Sequence, residues 1–235
     1  MALDSEPPTT DQRASSAALT DRTLAVWEIV SVASSIVIAE WMLAAAAGFS
    51  KAIVAIPVGL AVLLILLSQR VRGETLRDIG FRFDNFLRAL YLLAAPVFIF
   101  AVVCLIIGWR LGSSFDFFRW HPKRYLVWQL ALGFLWALVQ QYVLQGFINR
   151  RAMIVAGRGW QSVLMVAAVF GLLHLPNVWI TIITLLAGAI WAAVYQRAPN
   201  LFALALSHSV MTWFIVSTLP PSALHHLRVG LGYFF

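Results

Sequence analysis

Apolar and polar positions divide the chain into seven apolar runs, near residues 24–48, 52–68, 86–108, 125–148, 161–175, 178–195 and 200–217. Arginine-rich or proline-containing breaks part them. A helix rising 1.5 Å per residue needs about 20 residues to cross about 30 Å of hydrocarbon. The pattern therefore predicts an all-α fold, a polytopic membrane bundle of about seven transmembrane helices, with six and eight as bounds. The run at 161–175 is short for a span, and Leu219–Phe235 reads as an interfacial helix or a partial passage. Residues 1–22 are rich in Ser, Thr, Pro and charge, without the apolar core of a signal peptide, and are expected to form a flexible polar tail. Residues 23–235 then form a single membrane domain.

Composition agrees with the pattern. The chain is 61% hydrophobic and 11% charged, with a mean hydropathy of +0.84; soluble domains carry about 25% charged residues. Basic residues suggest an orientation. Two in the N-terminal tail, five between 70 and 88, three between 149 and 158, and Arg197 make eleven of the 17 Lys and Arg. The positive-inside bias then places the N-terminus in the cytoplasm, and the absence of an organellar targeting sequence points to a bacterial inner membrane. The formal charge of +7 is explained by this topology and by contact with anionic lipid, with no nucleic-acid partner. The single cysteine, Cys104, excludes a disulfide framework within the chain.

Polar side chains inside apolar runs carry the chemical information, because lipid offers them no partner. They are Glu40, Gln140, Gln141, Gln145, His174 and His208. On a helix Gln141 and Gln145 share a face that Asn149 continues, with Gln140 about 100° away. Phe170 with His174, and His208 with Thr212, have the same four-residue spacing. Three helices thus each present polar groups, and a common interior cavity is expected. Interhelical hydrogen bonding alone is the simpler explanation for any one of them.

In order along the chain, "QQYVLQGFINRR", "FGLLHLPN" and "AGAIWAAVYQRAPNLFALALSHSVMT" resemble the three motifs of the CPBP intramembrane proteases, the Abi or CAAX-protease family that includes Rce1. The likeness covers Trp136 to Thr212, within a core at 125–217. The "ETLRDIGFR" stretch resembles the cytosolic segment that often precedes that core. The family motifs are Glu-Glu-x-x-x-Arg, Phe-x-x-x-His and His-x-x-x-Asn or Asp. The resemblance implies an endopeptidase that cleaves a membrane-proximal peptide with an activated water. His174 would act on the water, assisted by Gln140, Gln141 or Glu40, with His208 and Thr212 at the oxyanion. Gln145, Asn177 and Phe170 would line the surrounding cavity.

The departures are chemical. Both motif glutamates are glutamine here, the arginine is Gln145 and the last position is Thr212. An amide has no usable basicity, so it cannot act as a general base. No carboxylate follows Asp116, so Glu40 is nearly the only carboxylate candidate at membrane depth, and it could replace the missing base only if the first span packs against the fourth. Glu28 is expected near the first span's edge. His174, His208 and Glu40 are three donors in principle, but no compact zinc pair such as HExxH occurs, and a site without metal or cofactor is expected. His225 and His226 read as interface residues. The competing function is a non-catalytic descendant that binds a membrane segment, lipid or partner protein. A small transporter would call for internal repeats or interrupted helices that the sequence does not display. The oligomeric state is not legible in the sequence.

Overall fold

The computed structural model describes residues 10–45, 51–117 and 126–234. The seven apolar runs form α1 (Thr10–Ala45), α2 (Lys51–Val71), α4 (Phe86–Arg110), the composite α5–α6, α7 (Trp160–Leu172), α8 (Val178–Arg197) and α9 (Leu201–Thr218). In the composite helix α5 (Leu126–Gln141) passes through a π-helical segment (Tyr142–Asn149) into α6 (Arg150–Ala156). A single turn, α3 (Leu76–Ile79), lies between α2 and α4. Five of these helices are long and apolar enough to cross a membrane, and Ala55–Val71 and Trp160–Leu172 are shorter apolar helices. The protein is a polytopic helical membrane bundle. Exposed Leu63, Phe98, Trp128 and Leu186 belong to its lipid-facing surface, while Val32, Leu93, Phe147, Tyr195 and Leu204 fill the core.

The expected tail differs from the structure. Residues 10–22 belong to α1, while 1–9 lie outside the described residues. Its alanines, Gln12 and arginines favour helix, and Asp21 is held by Arg72 at 2.7 Å.

Helices approach closely where glycine removes a side chain. A Cβ on Gly108 of α4 would stand 2.3 Å from the Thr218 carbonyl oxygen of α9, and one on Gly188 of α8 would stand 3.3 Å from Ala167 Cα of α7. Small residues of this kind are how membrane helices pack without a hydrophobic drive between them. The loop after α2 is locked by its own chemistry. Thr75 and Asp78 form a reciprocal capping box on α3, and Gly80 closes it with φ 109. Tyr195 then donates to the Ile79 carbonyl at 2.7 Å, and Asn200 to that of Arg82 at 2.6 Å, fastening the loop to the α8–α9 turn.

An ionic cluster ties the same end of the bundle together. Arg151 is fully buried on α6; its guanidinium meets Glu28 of α1 and Glu74 at 2.8 Å each, and donates to Ser68 of α2 at 2.9 Å. Glu28 is thus a buried ion-pair partner at that end of the bundle. The cluster joins α1 to α6, and α1 carries Glu40 some three turns further along.

Candidate active site

The polar stripe faces the interior: Gln141, Gln145 and Asn149 are all fully buried. The π-helical segment widens the helix just after Gln141 and frees the Gly146 carbonyl to accept from Gln69 at 3.3 Å, while Gln69 accepts from Tyr142 at 2.7 Å.

A cavity of about 340 Å³ lies among α1, α4, α5, α8, α9, the link between α7 and α8, and the segment after α9. Glu40, Gln140, His174, His208 and Thr212 line it, against an apolar wall that includes Phe100, Trp136, Ile183 and Met211. Glu40 is the one carboxylate among these lining residues, so α1 does reach the space bordered by Gln140. No direct contact between α1 and the fourth run at that depth is needed, because both border the hollow.

The two histidines are held differently. His174 follows α7, and its Nδ1 lies 2.7 Å from the Phe170 carbonyl oxygen. A carbonyl can only accept, so Nδ1 carries the proton and the neutral ring keeps a basic lone pair on Nε2. His208 of α9 has its Nδ1 3.3 Å from Gln141 Nε2. The amide N–H donates there, which leaves the His208 proton on Nε2. One ring thus offers an acceptor and the other a donor. Aromatic packing fixes both planes. Phe170 meets His174 edge-on with centroids 4.7 Å apart and His208 at 6.2 Å, and Trp191 lies 4.5 Å from the His208 ring. Trp191 is itself anchored by donating to Ser207 at 3.0 Å.

Four of the expected residues have other placements. Gln141 stands behind His208, not in the cavity wall, and Phe170 packs between the histidines. Gln145 points away, accepting from Asn149 at 2.8 Å within a chain that continues through Gln196 to Ser162. Asn177 caps α8, accepting from Ile180 N at 3.2 Å and donating to carbonyls of the segment after α9. Short amides in these places find backbone and amide partners sooner than open space. Trp191 and Trp136 were not singled out by sequence reasoning, since a tryptophan in an apolar run is ordinary; the local signal for Trp191 was its place within "AGAIWAAVYQRAPN". Among the described residues no three His, Cys, Asp or Glu side chains come together as a metal site.

The helical membrane bundle thus encloses a cavity lined by two histidines and a carboxylate. Residues 122–214 match the family model described as type II CAAX prenyl endopeptidase Rce1-like, so this stretch of the chain is similar to that family. The matched stretch contains Gln140, Gln141, Gln145, Phe170, His174, His208 and Thr212 and ends within α9. No curated protein and no solved structure matches the chain.

Proposed function

We propose that the protein is a divergent intramembrane endopeptidase of the CPBP type, which hydrolyses a membrane-proximal peptide bond in the buried cavity. The observation that carries this reading is the meeting of Glu40, His174, His208 and Thr212 around one hollow. His174 Nε2 takes a proton from water, whose oxygen adds to the scissile carbonyl carbon. Glu40 supplies the negative charge that favours the imidazolium so formed, a part the motif glutamines cannot play. The oxyanion is held by the His208 Nε2–H and the Thr212 hydroxyl. The C–N bond then breaks, and the imidazolium returns its proton to the leaving amine. Gln141 acts through His208 by fixing its tautomer, and Gln140 presents its amide to the peptide. In this reading the N-terminus is cytoplasmic, in a bacterial inner membrane, and the arginine-rich cluster around Glu74 lies on that side.

The test is turnover of a library of membrane-proximal peptides by the purified protein in detergent. His174→Ala and Glu40→Gln are each expected to lower kcat about 10²-fold or more. Equal turnover in all three proteins, or none in any, overturns the reading. In that case the amides at 140 and 141 favour the second reading, a non-catalytic membrane protein that binds a membrane segment, lipid or partner protein in the same cavity.

A further inference from the structure

After α9 the chain turns back along the cavity. Leu219 and Leu224 are buried in an apolar cluster with Cys104, Ile180 and Ile215, and beyond them Leu227 and Val229 form part of the cavity wall near Glu40 and His174. Its hydrogen bonds with Asn177 and Leu175 run through main-chain atoms of the segment. Asn177 Nδ2 donates to the carbonyls of Leu224 at 2.9 Å and Arg228 at 3.1 Å, and Gly230 N donates to the Leu175 carbonyl at 2.8 Å. Such ties read backbone and not side-chain identity, so another peptide can satisfy them equally well.

The segment is also held under strain. His225, His226 and Leu227 have φ of 45, 54 and 60, three consecutive non-glycine residues in the left-handed region that a Cβ disfavours. The two histidines are exposed, so burial of their side chains does not offset that conformation. Backbone of this kind persists only where its surroundings impose it. One imposing contact is visible: a Cβ on Gly230 would stand 3.0 Å from the Glu40 carbonyl oxygen, so the segment closes directly onto α1.

We propose that Leu224–Gly230 is a displaceable strap, and that the Asn177 amide and Leu175 carbonyl which hold it form the backbone-recognition site for an incoming apolar peptide that takes its place beside Glu40 and His174. That the peptide is a substrate rests on the endopeptidase reading; that the strap can be displaced does not. The apolar preference follows from the neighbours of Leu227 and Val229 in the wall, which include Phe100, Ile180, Ile183 and Ile215.

Asn177→Asp isolates the tie from the helix cap. The carboxylate still accepts from Ile180 N but has nothing to donate to Leu224 and Arg228. With Leu227→Cys as a reporter in a Cys104→Ala background, the full chain in lipid nanodiscs is labelled with a maleimide. Asn177→Asp is expected to raise the labelling rate about tenfold, the scale of losing two modest hydrogen bonds. A synthetic Ala-Val-Leu peptide amide is expected to raise it in the Asn177 parent too. An unchanged rate in a variant whose thermal unfolding midpoint is also unchanged overturns the proposal. Amide hydrogen exchange of the unmutated chain serves if the variant does not fold: the peptide should accelerate exchange at Gly230, and unaltered exchange at saturating peptide overturns the strap. Faster labelling without peptide cleavage supports the strap and counts against the peptidase reading; cleavage with constant labelling does the reverse.

Discussion

The Gln141 amide nitrogen lies 3.3 Å from Nδ1 of His208, across 67 residues of chain. Because an amide N–H donates there, the His208 proton resides on Nε2. A carboxylate at position 141 would demand the opposite tautomer. Gln141→Glu is therefore expected to move the His208 proton to Nδ1. Histidine side-chain ¹⁵N shifts measured on the protein in detergent check this, and an unmoved His208 resonance pattern would show that Gln141 does not govern the ring.

Arg151 is fully buried between two carboxylates. Arg151→Met keeps the stem's bulk but removes the cation that Glu28 and Glu74 share, leaving Glu28 with Arg72 at 3.4 Å and Glu74 with Arg150 at 2.8 Å; the lost charged hydrogen bonds are expected to cost about 2–3 kcal/mol. Thermal unfolding in detergent measures it. A shift no larger than that of an exposed substitution such as Arg77→Met would mean that the cluster is not a structural lock.

Glu74 gives a pH dependence outside the membrane spans. Burial raises its carboxyl pKa, but hydrogen bonds and charge from Arg151 and Arg150 outweigh that and hold it below the ordinary 4.5. A group depressed on folding stabilises above its unfolded value and loses that contribution as pH falls through the folded one. The stability gap between the parent and Glu74→Gln should thus be constant above about pH 5 and shrink below 4.5. Unfolding midpoints recorded from pH 7 to pH 3 test the sign; a gap that widens on acidification would reverse it.

Gly108 and Gly133 make a matched pair. A Cβ at 108 meets the Thr218 carbonyl oxygen at 2.3 Å, and backbone cannot swing aside; at 133 nothing lies within 4 Å. Gly108→Ala is expected to destabilise by about 1–3 kcal/mol as α4 and α9 are forced apart. Gly133→Ala should be neutral or stabilising by up to about 1 kcal/mol. Equal midpoints for the two variants would contradict the close crossing.

Hydrocarbon made much of the fold legible in the sequence. Backbone groups must pair within each span, so each apolar run had to become a helix, and polar groups at helical spacing had to turn inward, as Gln141, Gln145 and Asn149 do. Spacing places residues on a face of their own helix, but it does not say what that face meets. Whether Glu40 reached the level of His174 and His208 was decided by α1 crossing the bundle, with Arg151 and Gly230 as its neighbours. Likewise, Asn177 just ahead of an apolar run carries a local helix-cap signal, whereas the place of Thr212, inside α9, at the cavity was settled by the surrounding packing. The sequence by itself determined a membrane bundle with a buried polar stripe, because lipid penalises every alternative. Tertiary structure decided which polar groups share the hollow, because contacts between distant segments depend on how closely whole helices can approach.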